Sequence, residues 1–248
     1  MIQIEAVPGI GEVTPGSEIG ALLADALASI GPQNGDILVV TSKIVSKAEG
    51  QRVSLNTVEP GPRAVEIAGT IGKDARLVEL VLQESTDVVR TGRNVLITRH
   101  RLGLVMANAG IDASNIGTDE ADQVLLLPRD PDGSAARIRE ALKERLGVEL
   151  GVILSDSFGR PWRHGVVNVA IGAAGLPAII DRRGDIDRDG RVLQMTQIAY
   201  GDLIASAAGL AMGEAAEGIP VVLVRGCAAD GEAPASALVR PLAEDLFR

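Results

Sequence analysis

Short apolar runs rich in β-branched residues recur along this chain and constrain its fold more than any other feature. They are bounded by glycine, proline and other turn-forming residues and have the length of β-strands. The predicted strands are 2–7, 36–41, 95–98, 102–106, 124–127, 148–154 and 219–224. Helical segments lie between them without the regular βαβ alternation of a doubly wound sheet, so the pattern predicts an α+β fold with mixed sheets and packed helices.

Three segments have the residue pattern of helices. "SEIGALLADALASI" begins at Ser17, a candidate N-cap, and places its leucines on one face. "SAARIREALKERLG" has Ser134 as its candidate N-cap and Gly147 as its stop signal. The third, "DLIASAAGLAMGEA", is so rich in alanine and glycine that we expect another element to pack closely against it.

Charge and aromatic content argue against a nucleic-acid-binding surface. The chain has 24 Lys and Arg residues against 33 Asp and Glu residues, a net charge of −9, and only 2% aromatic residues. Nucleic-acid binding needs positive charge and aromatic stacking platforms. A small phosphorylated substrate is still compatible with this composition, because its site needs only local cations.

Targeting signals are not apparent, and we expect a cytoplasmic protein without membrane contact. No stretch approaches the ~20 apolar residues that a membrane helix needs, and the start "MIQIEAVPG" lacks a signal-peptide pattern. The single cysteine, Cys227, follows an apolar run, which favours a buried inert thiol over a nucleophile. A length of 248 residues is compatible with one large domain or two small ones.

The commonest phosphate-binding and metal-binding motifs are missing from the sequence. It contains neither a G-x-x-x-x-G-K-[ST] loop nor a complete dinucleotide fingerprint. Its only histidines, His100 and His164, do not form a zinc cluster with one cysteine. Any metal must therefore be a hard cation such as Mg²⁺ or Mn²⁺, held by oxygen ligands.

The stretch "VILSDSFGRPWRHG", residues 152–165, concentrates chemically useful side chains just after a buried strand. Asp156 and Ser157 are expected where that strand gives way to a glycine-bounded loop, and Arg160 and Arg163 follow. Taken alone, Asp156 is equally suited to ligate a metal or to form a turn. The two arginines favour the metal, because guanidinium groups bind phosphate oxygens and phosphoryl transfer needs both charges.

The same stretch contains Trp162 and His164, and both favour ordinary structural roles. We expect Trp162 to pack against the protein more readily than to stack on a ligand. His164 fits a polar rim residue better than a general base.

Three further segments carry weaker signals. In "MANAGIDASNIG", Asp112 could ligate a second metal and Asn115 could contact a nucleotide, although an Asn/Asp-rich turn is favoured for this stretch alone. In "VVTSKIVSKAEG", Lys43 and Lys47 suit a polyphosphate, although their spacing also fits an exposed helix face. In "MGEAAEGIP", Glu214 is expected at the end of the Ala-rich helix, and termination of that helix by glycine is the favoured interpretation.

Taken together, these segments resemble the coenzyme F420-0:L-glutamate ligase family, the GTP-dependent γ-glutamyl ligases of deazaflavin cofactor synthesis. The resemblance rests on "VPGIGEVTPGSEIG", "DILVVTSKIVSKAEG", "RLGLVMANAGIDASNIG", "VILSDSFGRPWRHGVVNVAIGAAG" and "PASALVRPLAEDLFR", in this order along nearly the whole chain. It implies an intertwined α+β homodimer, here as a single domain spanning 1–248, which can contain two interwoven subdomains. An appended nitroreductase-like domain, present in some relatives, is not expected.

The resemblance also implies roles for individual residues. Asp112, Asp156, Arg160 and Arg163 are expected to serve catalysis. Two divalent cations, Mg²⁺ or Mn²⁺, are expected on Asp112, Asp156, Ser157 and Glu214, and a potassium requirement stays open; the family usually has threonine at position 157. The nucleotide is expected to contact Ile10, Gly11, Glu12, Val13, Ser42, Lys43, Lys47, Asn115, Met212, Gly213, Glu214, Ala215, Ala216, Glu217, Gly218 and Ile219.

The activity implied by the resemblance is GTP-dependent addition of L-glutamate to coenzyme F420-0 through an acyl phosphate, followed by γ-linked glutamates, with release of GDP and phosphate. Two alternatives stay open at this point. One is an amide ligase of the same fold that acts on a different carboxylate acceptor. The other is a non-catalytic nucleotide-binding protein that keeps the fold.

Overall fold

The computed structural model describes residues 1–114 and 122–245. The α-helices in these ranges are α1 (Ile19–Leu27), α2 (Ser42–Ala48), α3 (Pro62–Ile71), α4 (Ala75–Gln83), α5 (Pro131–Leu146) and α6 (Tyr200–Met212). The strands are β1 (Gln3–Ala6), β2 (Ile37–Thr41), β3 (Arg52–Ser54), β4 (Ser85–Gly92), β5 (Val95–His100), β6 (Val105–Ala107), β7 (Gln123–Leu125), β8 (Gly151–Arg160), β9 (Arg163–Ala174), β10 (Ile180–Asp181), β11 (Gln197–Ile198) and β12 (Val221–Arg225). The predicted α+β class is confirmed. In the described ranges, no helix is both long and apolar enough to span a bilayer.

The largest sheet has five strands in the order β1-β12-β2-β8-β9. Only β2 and β8 pair in parallel, and the other neighbours are antiparallel. The central strands are apolar on both faces because both faces are covered. Helices α1 and α5 pack on one face, where Leu23 and Leu142 are fully buried with Leu154, and α6 packs on the other.

Close approach between α6 and β9 explains why this helix is rich in alanine and glycine. A side chain at Gly201 would press against Ala170 and Ala178, and one at Gly209 would overlap Asn168. The hydroxyl of Ser206 also donates a hydrogen bond to the Asn168 carbonyl (2.7 Å). The expectation that another element packs tightly against this helix is therefore confirmed.

A second region contains the antiparallel sheet β4-β5-β6, against which α3 and α4 pack. The short ribbon β3-β7 connects to it through a smaller apolar cluster. A backbone bridge pairs Asp112 with Leu125 of β7, with N···O distances of 3.0 and 2.8 Å. This bridge fixes the segment after β6 in place.

Both predicted serine N-caps are wrong. Helix α1 begins after Glu18, and Ser17 instead accepts a hydrogen bond from the Thr14 amide (3.0 Å). Helix α5 begins earlier than predicted because Pro131 occupies its first position and Asp130 caps it. Ser134 thus lies inside the helix; the predicted stop at Gly147 is confirmed, in a left-handed conformation.

The loop predicted after residue 154 is also wrong. Strand β8 continues through Asp156 and Ser157 to Arg160 and forms a long hairpin with β9. The backbone groups of these polar residues are paired across the hairpin, which allows the strand to extend beyond its buried part. The expectation of a buried Cys227 needs correction too, since the residue is only partly buried. Desolvation raises the pKa of its thiol, as expected for an unreactive cysteine.

Candidate active site

A cleft of about 690 Å³ opens where β2 ends and β8 continues beyond it. Its size lies in the range of small-molecule sites. Six separate chain segments line it: the loop before α1, the end of β2 with α2, β6 with the turn after it, the outer part of β8, the middle of β9, and the segment that follows α6. The structure therefore brings together segments that are far apart in the sequence.

Nearly all of the predicted site residues line this cleft. They are Ile10, Gly11, Glu12, Val13, Ser42, Lys43, Lys47, Asp112, Asp156, Ser157 and the whole run from Met212 to Ile219, including Glu214. Asn115 lies outside the described residues. Its expected nucleotide contact stays a prediction.

Asp156 projects from β8 and accepts a hydrogen bond from the hydroxyl of Ser42, the first residue of α2 (3.2 Å). The residue keeps some surface open to the cleft, but protein atoms surround its carboxyl group closely. Desolvation raises the pKa of Asp156 to about 7, and repulsion from Asp112 acts in the same direction, against the attraction of Lys43. A cation bound beside this carboxyl group would stabilise its ionised form.

Asp112 forms an ion pair with Lys43 (Oδ2 to Nζ, 2.6 Å). Its other oxygen accepts hydrogen bonds from the amide and hydroxyl of Ser114, at 2.7 and 2.8 Å. Desolvation works to raise the pKa of Asp112, but the bonds from Lys43 and Ser114 outweigh it, and the pKa is lowered. Asp112 is thus an ionised group paired with Lys43, and both charges act on Asp156.

Ser157 and Glu214 form the second polar pair of the cleft. The Ser157 hydroxyl donates to the Glu214 carboxylate, with distances of 2.9 and 2.8 Å to its two oxygens. Gly213 ends α6 with a φ of +71°, a conformation that glycine adopts without strain, and directs Glu214 into the cleft. Glycine thus ends the helix as expected, while the residue after it lines the site.

These oxygen groups suit a hard divalent cation that brings further ligands with it. Across 1–114 and 122–245, no three carboxylate, histidine or cysteine side chains converge into a ready-made metal site. Mg²⁺ and Mn²⁺ are commonly bound by one or two carboxylates together with substrate phosphates and water. The residues therefore fit cations that arrive with a phosphorylated ligand. Asp112 and Asp156 could hold one cation, and Ser157 and Glu214 could hold another.

Lys47 provides a buried positive charge at the same cleft. Its Nζ lies 2.7 Å from Oε1 of Glu12, and the Glu12 side chain is 61% exposed while that of Lys47 is only 7% exposed. A lysine ammonium is rarely buried unless it has a partner. Because its ion-pair partner among the described residues is an exposed glutamate that also lines the cleft, Lys47 could exchange this carboxylate for a phosphate.

We expect Lys47→Met to weaken nucleotide binding by about 10- to 100-fold, because it removes a charge-assisted hydrogen bond but keeps the aliphatic stem. Isothermal titration with Mn²⁺-GTP measures the change. Lys143→Met is the matched control, since it also breaks a 2.6 Å lysine–glutamate ion pair, on α5 and outside the cleft lining. Equal affinities of the two variants would show that Lys47 only supports the fold.

Arg160 and Arg163 are not brought into the cleft of this chain. They flank the two-residue hairpin turn between β8 and β9, and Arg160 donates to the carbonyl oxygen of His164 (2.7 Å). Trp162, in the turn itself, is 81% exposed, so the expectation that it packs into the protein is wrong within one chain. His164 is exposed, as expected for a rim residue.

Sequence reasoning missed some cleft residues, notably Phe158 and Asn168. Asn168 is the single polar residue in the apolar run "VVNVAIG" of β9. A polar residue inside a buried strand is unusual and needs a partner. The asparagine in this apolar run was the sequence signal that could have identified Asn168 as a site residue.

The cleft is lined by carboxylates and lysines. Proteins with such a site are suited to bind a phosphorylated small molecule together with divalent cations. Residues 9–226 match the family model described as F420-0:Gamma-glutamyl ligase. The chain is 46% identical to the coenzyme F420:L-glutamate ligase of Methanopyrus kandleri, over 100% of this chain and 98% of that protein. It is 45% identical to the protein of that name from Methanothermobacter thermautotrophicus, over 100% and 98%, and 40% identical to that from Archaeoglobus fulgidus, over 100% and 96%.

The chain belongs to the F420-0:γ-glutamyl ligase family. The family membership expected from the sequence motifs is thereby confirmed.

Proposed function

We propose that this protein is a GTP-dependent ligase that joins L-glutamate to coenzyme F420-0 and then adds γ-linked glutamates. The observation that carries this proposal is the gathering, in one cleft of a member of this family, of two lysines and four oxygen-bearing side chains from four distant segments. The names of the relatives support the glutamate and F420 part of the proposal. GTP as the nucleotide rests on the family resemblance.

The proposed reaction has two steps. The carboxylate oxygen of the F420-0 side arm attacks the γ-phosphorus of GTP, the bond to the bridging oxygen breaks, and GDP leaves. The amine of L-glutamate then attacks the carbonyl carbon of the resulting acyl phosphate, loses a proton, and expels phosphate as the amide forms. No step requires a covalent bond to the protein.

Divalent cations would supply charge neutralisation on the phosphate oxygens when bound. Asp112 and Asp156 would hold one of them, and Ser157 with Glu214 the other. Lys43 and Lys47 would orient the phosphate chain from α2, the helix whose first residue also contacts Asp156. Strands β2 and β8 would hold these groups in fixed positions. Such positioning supplies much of the catalysis of phosphoryl transfer.

Arg160 and Arg163 remain proposed phosphate contacts only if a second protomer completes the site. A homodimer is supported by apolar residues that are exposed in one chain: Leu203 and Leu210, seven residues apart on α6, and Trp162 at the hairpin tip. The mass of the protein in solution, measured by light scattering, tests the dimer directly.

The test of the proposed function is a product-mass assay. The protein is incubated with GTP, Mn²⁺, L-glutamate and F420-0, and the products are expected to gain one or more glutamate residues with release of GDP. Omission of GTP, its replacement by ATP, and addition of a chelator serve as controls. GTP hydrolysis only with another carboxylate would point to a different acceptor, and nucleotide binding without turnover on any acceptor would contradict a catalytic role.

A further inference from the structure

Asn168 is a nearly buried polar residue on the wall of the cleft. It lies in the middle of β9, directly opposite Ser157 of β8 in the strand register. Its exposed fraction is 8%, and what remains exposed faces the cleft that it lines. Ser157 is already paired with Glu214, so Asn168 borders the second oxygen-rich part of the site.

The side-chain amide of Asn168 has no hydrogen-bond partner among the residues that the structure describes. Its backbone carbonyl accepts from Ser206, but neither side-chain polar atom has a hydrogen bond to any residue in 1–114 or 122–245. Taking most of an amide out of water without a partner costs free energy, at most about 1–3 kcal/mol in mutational data. Neither polar atom of the Asn168 side chain is completely buried, so the amide remains accessible from the cleft that it lines. A valine or alanine would fill this strand position without that cost, as its neighbours do.

Helix α6 is shaped around this amide. Position 209 is glycine inside a helix, where alanine would be more stable by about 1 kcal/mol. A Cβ atom at Gly209 would lie 2.1 Å from Oδ1 of Asn168, so glycine is required for the amide to lie as it does. Because Oδ1 is turned to the helix, the amide nitrogen is the group left to bond elsewhere.

We infer that Asn168 donates a hydrogen bond from Nδ2 to an anionic phosphoryl oxygen of the ligand in the cleft. The inference deepens the proposed function and rests on it, because it identifies a nucleotide contact beyond the segments implied by family resemblance. A donor rather than an acceptor is what this amide offers, so a phosphate oxygen is its expected partner and a metal ion is not. The adjacent Ser157–Glu214 pair would hold the cation, and Asn168 would hold the phosphate beside it.

Two substitutions at this position separate the possible roles. Asn168→Ala removes the donor and is expected to weaken Mn²⁺-GTP binding about 10-fold. Asn168→Asp keeps the shape, removes the donor and adds a negative charge, so we expect it to bind Mn²⁺-GTP more weakly still. Guanosine lacks phosphates, so we expect it to bind the wild type and both variants with equal affinity. Calorimetry measures the binding of each ligand to the three proteins.

Gly209→Ala moves the amide without removing it. The atoms that must yield, Oδ1 and Cγ of Asn168, belong to the end of a side chain and not to the backbone, so the variant is expected to fold. It is expected to lose about as much Mn²⁺-GTP affinity as Asn168→Ala. Gly69→Ala in α3 is the matched control, because nothing lies within 4 Å of the added methyl group. It is expected to leave the affinity unchanged.

Two results would overturn the inference. If Asn168→Asp binds Mn²⁺-GTP as tightly as the wild type or more tightly, the amide oxygen serves a cation and the donor role is wrong. If both Asn168 variants and Gly209→Ala bind like the wild type, the amide touches no ligand. Failure of the wild-type protein itself to bind Mn²⁺-GTP would instead contradict the proposed function.

Discussion

Asp156→Asn is expected to lower the rate of glutamate addition by roughly 10³-fold or more, the largest catalytic effect that we predict for a single substitution. The substitution keeps the size of the side chain and an oxygen that can accept the bond from Ser42. It removes the negative charge that would hold a divalent cation against the phosphates. Steady-state turnover in the product-mass assay, at saturating GTP and Mn²⁺, measures the effect.

The same substitution is not expected to weaken the fold. Crowding by protein atoms disfavours the charge on Asp156, as its pKa of about 7 indicates, and Asp112 repels it. A neutral amide escapes both penalties, so the melting temperature of Asp156→Asn should equal or exceed that of the wild type. Loss of turnover together with unchanged or higher stability is the signature of a residue kept for function.

Asp202→Asn is the matched control for this experiment. Asp202 of α6 is another carboxyl whose pKa is raised by desolvation, and it accepts a hydrogen bond from the Ala170 amide (2.9 Å). It does not line the main cleft, so its substitution is expected to leave turnover within about two-fold of the wild type. Near-normal turnover of Asp156→Asn would remove Asp156 from the mechanism.

The parts of the fold that sequence reasoning captured are those with buried faces. Strands β2 and β12 are continuous apolar runs, because helices cover both faces of the sheet there, and their predicted positions agree closely with the structure. Strand β4 was missed because most of its residues are exposed and the segment "STDVVRTG" shows no regular alternation. It is a strand through its pairing with β5, the next strand of a hairpin with a two-residue turn, and a mostly exposed strand leaves little trace in the pattern of apolar residues.

For the site, the sequence showed the local chemistry of each segment but not the contacts between distant segments. Each site segment carried a local signal, such as Asp156 after a strand or Lys43 after another. Their convergence depends on the parallel pairing of β2 with β8, which places Ser42 beside Asp156 across 114 residues of sequence. The expectation for Arg160 failed within one chain for the opposite reason, since proximity in sequence to Asp156 became distance along an extended hairpin.

Gly172→Ala is expected to cost about 2–3 kcal/mol of unfolding free energy, the largest effect on stability that we predict. Gly172 lies in β9, where the start of α5 crosses the strand. An added Cβ would lie 2.3 Å from the carbonyl oxygen and 2.5 Å from the carbonyl carbon of Pro131. These are backbone atoms of a helix terminus, so relief requires the helix to shift.

Helix α5 is poorly placed to make that shift. Asp132, next to Pro131, accepts hydrogen bonds from the Ala173 and Ala235 amides, both at 2.8 Å. Moving the helix away from β9 would stretch these bonds as well as open the core between them. Chemical denaturation monitored by circular dichroism measures the loss of stability, and thermal melting should show a decrease of roughly 5–10 °C.

Gly159→Ala provides the comparison for Gly172→Ala within the same hairpin. No atom lies within 4 Å of a methyl group added at Gly159, so this substitution tests the general effect of alanine in the hairpin without the clash. We expect it to change the free energy of unfolding by less than about 0.5 kcal/mol. Equal stabilities of the two variants would show that the start of α5 can move freely over β9, and that the strand bearing Asn168 is not held rigid from this side.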